Sequence, residues 1–138
     1  MSTPELEEWA DQCRAHVRDM AEDWGVGERY ASDSRALVPA MQEYVNEFDW
    51  DSADGDAYVE LHTDLASYLA EHLIRTFRAT WVEGEDDRGP VYAVTALGHT
   101  VDPFDVAYQE IVHRPVDVTR MLAAGERGLE VTADADER

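Results

Sequence analysis

The sequence predicts an α+β domain in which N-terminal helices and a long central helix pack with a small antiparallel three-stranded meander, followed by a C-terminal helical segment. Three observations predict it. Apolar residues recur at helical spacing from Leu6 to Trp24 and more densely from Tyr58 to Phe77. The period then shortens into β-branched and aromatic runs at Ala79-Thr80-Trp81-Val82 and Val91-Tyr92-Ala93-Val94-Thr95. Asp102-Pro103 restarts a helical pattern.

Thr3 as N-cap and Pro4 at the first helical position open the first helix. Leu6, Trp9, Cys13, Val17, Met20 and Trp24 form its apolar stripe, and Gly25 and Gly27 end it. Leu37, Met41, Val45 and Phe48 mark a second helix within about Ser34–Phe48, where Pro39 implies a kink or a later start. A polar connection, Asp49 to Asp56, follows. In the third helix Tyr58, Leu61, Leu65, Leu69, Leu73 and Phe77 form the main stripe. Ala66, Tyr68, Ala70 and Ile74 widen it, which predicts a central helix covered on more than one side. Glu60, Asp64, Glu71, Arg75 and Arg78 fall on the opposite face, with Glu71 and Arg75 spaced for an i,i+4 ion pair. Two strands bracket a loop at Glu83–Pro90, and His99-Thr100-Val101 supplies a third. Phe104, Tyr108, Ile111 and Val112 give the next helix its face, and Pro115 ends or kinks it. Val118, Met121 and Leu122 mark a short helix before Gly125. The expected organisation is one domain over residues 1–125 and a charged, frayed tail over 126–138. Its core is expected to include Trp9, Cys13, Val17, Leu61, Leu65, Leu69, Leu73, Phe77, Val82, Val94, Phe104, Tyr108 and Ile111.

Charge narrows the function classes. Against 31 Asp and Glu stand 11 basic residues, all Arg, for a net charge of −20. Such a balance opposes direct nucleic-acid binding and docking on anionic membranes. A GC-rich genome or a salt-rich cytoplasm would account for the acidity and the missing Lys. No basic and apolar leader opens the sequence and no apolar run reaches membrane-spanning length, so a cytoplasmic location is expected. Cys13 is the only cysteine, which leaves no internal disulfide and no Cys-rich metal site.

The segment from about Leu65 to Val112 resembles a family of small bacterial domains of unknown function. The resemblance rests on Tyr68-Leu69-x-Glu71 in a helix, Trp81-Val82 opening a hairpin, Gly89-Pro90-Val91 entering a strand, and Gly98 with Pro103-Phe104 leading into a helix. Ala70 and Thr80 stand where that family has glycines. The resemblance implies a fold and carries no catalytic residues with it.

Candidate chemistry is sparse. The acidic connection fails as a calcium loop, because either possible register misplaces an oxygen ligand or the required glycine. Glu83, Glu85, Asp86 and Asp87 form an acidic cluster suited to a basic partner, or to keeping a small sheet from edge-to-edge pairing. His62 and His72 lie within the apolar arc of the third helix and are the pocket candidates. They sit ~15 Å apart along the helix, too far to share one metal. Neither nucleophile elbow, dinucleotide loop nor phosphate loop is present, and no cofactor or metal site is read. The leading expectation is therefore a non-enzymatic acidic protein-interaction domain, such as an immunity or inhibitor protein, that meets a basic protein partner. One alternative is a nucleic-acid mimic inhibiting a DNA-binding protein. Another is a small-molecule-binding domain or enzyme with a His/carboxylate pocket between the third helix and the meander.

Overall fold

A computed structural model describes residues 4–86 and 89–136. In chain order come α1 (Pro4–Asp23), α2 (Gly27–Ser32), a 3-10 turn (Ser34–Leu37), α3 (Val38–Glu47), α4 (Gly55–Phe77), β1 (Thr80–Asp86), β2 (Gly89–Ala96), β3 (His99–Val101), α5 (Pro103–Val112) and α6 (Val118–Asp136). The arrangement is α+β, 70% helical, with a three-stranded antiparallel sheet and a C-terminal helix. Among the described residues no helix is long and apolar enough to cross a membrane.

Local chemistry sets most boundaries. Pro4 begins α1, while the Thr3 cap lies outside the described residues. Pro39 occupies the first turn of α3, where its missing N–H costs nothing, so the chain adopts the later start. Asp54 caps α4 by accepting from the Ala57 N–H, and Asp102 caps α5 by accepting from Phe104 and Asp105. The short α2 has no periodic signature of its own in the sequence. It forms where the chain folds back after Gly25, with Tyr30 buried.

The helix α4 lies at the centre. Every residue from Asp64 to Leu73 is buried, because α1, α5, α6 and the sheet cover it from different sides. The polar face expected for this helix therefore does not exist in its middle, and Asp64 and Glu71 are interior groups.

The sheet has the order β1-β2-β3, with Trp81 opposite Val94, Gly84 opposite Val91 and Val94 opposite Val101. Pairing continues to Asp86 and Gly89, so Glu83 and Glu85 belong to a strand and not to a loop. Leu97 and Gly98, both at positive φ, make the two-residue turn into β3.

Within the expected core, Cys13, Val17, Leu61, Leu65, Leu69, Leu73, Val94 and Ile111 are buried, and Trp9, Phe77 and Phe104 pack against them partly exposed. Val82 is only partly buried, and Tyr108 is 45% exposed because it lies on the outer side of α5. The largest revision concerns the C-terminus. The short helix expected to end before Gly125 runs on as α6, with Leu129 fully buried and Glu126 bonded to His72.

Candidate functional site

The successive turns of α1 place Leu6, Ala10 and Arg14 on one side of the helix, with Glu7 and Arg18 alongside. The chain reverses at Gly25, and α2 sets Tyr30 and Ala31 opposite them. The C-terminal half of α4 supplies Glu71, Ile74 and Arg75. Arg78 ends that helix in the left-handed conformation, turning the chain so that Ala79, Thr80 and Trp81 close the last wall. These elements enclose a cleft of about 550 Å³, a size suited to a small organic molecule.

Its electrostatics run against the rest of the chain. Three of the 11 basic residues, Arg14, Arg18 and Arg75, line it together with only two carboxylates, Glu7 and Glu71. Arg14 is held by Asp11 at 2.5 Å and Arg18 by Asp19 at 3.5 Å, both exposed pairs that bind weakly. Arg75 donates to the Ala31 carbonyl at 2.9 Å and lies 4.6 Å from the centre of the Tyr30 ring. The i,i+4 ion pair expected between Glu71 and Arg75 is thus absent, because the guanidinium reaches across to α2.

Glu71 is 6% exposed, and its carboxylate has no hydrogen-bond partner among the described residues. Burial pushes its pKa up, while the positive charges of Arg14 and Arg75 pull it part of the way back. Trp81, on the adjoining wall, has a buried indole N–H that lacks a partner among the described residues, as does Trp9, whose ring meets it edge-on at 5.8 Å. Buried indole N–H groups without a partner are uncommon in a folded interior, and Glu71 adds a raised-pKa carboxylate on the same cleft wall.

The seam between α1 and α4 is, by contrast, satisfied. His16 Nε2 lies 2.6 Å from one oxygen of the buried Asp64, and the Tyr44 hydroxyl donates to the other at 3.0 Å. Burial raises the Asp64 pKa, and these two hydrogen bonds oppose the rise. Cys13 Sγ, one turn away, lies 3.9 Å from the Ser67 hydroxyl, and burial pushes its thiol up to about 11. The Cys13 thiol is thus kept protonated and far from nucleophilic.

The residues singled out from sequence lie elsewhere. His62 Nε2 bonds the Phe104 carbonyl at 2.7 Å. His72 is 1% exposed, between the Ser34 hydroxyl at 2.8 Å and Glu126 at 2.7 Å. Neither histidine lines the cleft. Glu83 and Glu85 are exposed on β1, Asp86 ends that strand, and Asp87 lies outside the described residues. Among the described residues no group of three or more His, Cys, Asp and Glu could hold a metal ion. In the acidic connection, Asp49 accepts from the Asp51 and Ser52 backbone, and Asp54 caps α4.

One local oddity of the sequence falls at the cleft, although it does not by itself mark a site. Arg14 and Arg18 place like charges at i,i+4, an unfavourable spacing in a chain with few cations. No protein-family model, curated protein or solved structure matches the chain. The resemblance read over residues 65–112 has no family model behind it.

Proposed function

We propose that the protein is a small-molecule-binding domain whose ligand occupies the cleft between α1, α2, α4 and the start of β1. The observation that carries this reading is Glu71, a carboxylate on a 6% exposed residue, without a hydrogen-bond partner among the described residues, on the wall of a cleft large enough for a ligand. Its carboxylate borders the cleft, so an occupant of the cleft can reach it directly. The apolar side chains of Leu6, Ala10 and Ile74 supply contact area, while the carboxylate and the arginines supply orientation.

The test is an amide and indole NMR titration of the full chain with mixtures of small neutral, anionic and cationic apolar compounds. Shifts concentrated at Ala31, Glu71, Ile74 and the Trp81 indole support the reading. Shifts absent from these residues across all mixtures would overturn it.

The net charge of −20 favours a second reading, an acidic protein-interaction domain for a basic protein partner. A stoichiometric partner retained at low salt and released at high salt would support that reading, and no such partner at either salt would end it.

A further inference from the structure

We propose that the cleft recognises a free amino acid with an apolar side chain, its ammonium donating to Glu71, its carboxylate held by Arg14 and Arg75, and its side chain packed on Ile74 and Trp81. This rests on the reading of the cleft as the binding site.

Glu71 offers an unused acceptor on the cleft wall. An ionised carboxylate only accepts hydrogen bonds, and no described residue donates to Glu71. Its place on the cleft wall leaves it open to a ligand donor, and an ammonium forms the strongest such bond because both partners are charged. The second feature is on the cationic side. Arg14 and Arg75 both act on Glu71 through their charge, yet neither forms an ion pair with it. Each guanidinium carries five N–H donors, and the hydrogen bonds to Asp11 and Ala31 use only a few of them. A ligand carboxylate matches the remaining planar fork.

Net charge selects between ligand classes. A phosphate or dicarboxylate would approach against the field of a chain at −20 and would meet Glu71 inside. A simple amine would be attracted from a distance but would meet the arginines. A zwitterion carries no net charge into that field and satisfies both ends locally. Its remaining bulk meets an apolar wall, and a cleft of about 550 Å³ accommodates a side chain as large as an aromatic ring.

The experiment titrates the parent protein, by NMR and calorimetry, with L-phenylalanine, L-leucine, phenethylamine and 3-phenylpropionate. The expected result is that the two amino acids shift the Trp81 indole and the Glu71 amide. Phenethylamine and 3-phenylpropionate, each lacking one charged end, should bind about ten- to a hundredfold more weakly, the ratio for losing one charge-assisted hydrogen bond. Glu71→Gln, checked for folding by its thermal melt, should weaken L-phenylalanine by a similar factor and tighten 3-phenylpropionate, because the repulsion between the two carboxylates is removed. If either half-molecule binds the cleft as tightly as L-phenylalanine, the amino-acid assignment is overturned while the cleft stands as a binding site. If all four compounds leave the cleft residues unshifted, the assignment fails as well. The broader reading then falls only if the compound mixtures also leave those residues unmoved.

Discussion

His72 Nε2 stands 2.7 Å from a Glu126 carboxylate oxygen, and this contact ties the middle of α4 to α6. The same carboxylate oxygen accepts from Arg35 at 2.6 Å, while His72 Nδ1 meets the Ser34 hydroxyl at 2.8 Å. One buried ring thus joins three parts of the chain. Replacing His72 with Ala removes interior volume and strands its partners, with an expected cost of about 2–5 kcal/mol, as for other buried truncations. Ending the chain at Gly125 removes Glu126 and the buried Leu129 together, and its urea midpoint should fall further than that of His72→Ala. A truncated protein with the parent's midpoint would refute this role for α6.

Glu71 sets a pH dependence. Burial raises its folded-state pKa above 4.5, so the folded protein holds a proton that the unfolded chain releases. Stability from this group is full below pH 4.5 and declines as pH rises through the folded value. Arg14, Arg18, Glu7 and Cys13 of α1, Tyr30 of α2 and Arg75 of α4 surround it. Glu71→Gln lacks this titration, so its stability relative to the parent should climb with pH across the same window. Denaturant titrations at several pH values measure the trend, and a pH-independent difference would contradict it. Amine ligands should show the opposite dependence, weakening as pH falls and Glu71 takes up its proton.

Two glycines within α6 are expected to resist replacement. A Cβ at Gly125 would lie 2.7 Å from Leu69 Cδ1, and one at Gly128 would lie 2.6 Å from Val101 Cγ2. Alanine gains about 1 kcal/mol in helix propensity, but crowding a packed interface costs about 1–3 kcal/mol. Gly128→Ala should lower the melting temperature more than Gly125→Ala, because the β-branched Val101 has little rotamer freedom to move aside. A rise in melting temperature for both would show that α6 packs less closely than these distances indicate.

Leu97 holds φ 58° in the turn before Gly98 and is 65% exposed. A side chain branched beyond Cβ gains nothing there and strains the left-handed backbone, which Asn tolerates better. Leu97→Asn should stabilise the protein by up to about 1 kcal/mol. Thermal unfolding tests this, and a lower melting temperature would count against the turn geometry.

Cys13 should be inert in the native state. With its thiol raised to about 11 and its side chain buried, little thiolate forms near neutral pH. Labelling by a thiol reagent should be slow in buffer and fast in denaturant. Equal rates in the two conditions would show that the seam between α1 and α4 opens readily.

Much of the architecture was legible because it depends on local pattern. The stripe from Leu61 to Leu73 predicted the central helix, and Asp102-Pro103 marked the start of α5. The candidate site was not legible, since its parts come from α1, α2, α4 and β1. Glu71 and Arg75 have ideal spacing for an ion pair, yet α2 offers Arg75 the Ala31 carbonyl and the Tyr30 ring instead. His62 and His72 attracted notice as polar residues in an apolar arc, and the fold supplies each with a protein partner.

The sequence by itself determined the α+β class, the cap at Asp102, the broad arc of α4, and the charge of −20. Those features follow from periodicity, capping and composition, which act between near neighbours or require no geometry at all. Tertiary structure decided which polar groups are interior and which cations gather. Gly125 reads locally as a helix stop, but it continues α6 because the absent Cβ lets the helix approach Leu69. Glu71 reads locally as a surface residue, but α1 and α2 cover it and leave its carboxylate facing a cleft. Burial is a property of what packs from elsewhere in the chain, so no window of neighbouring residues can encode it.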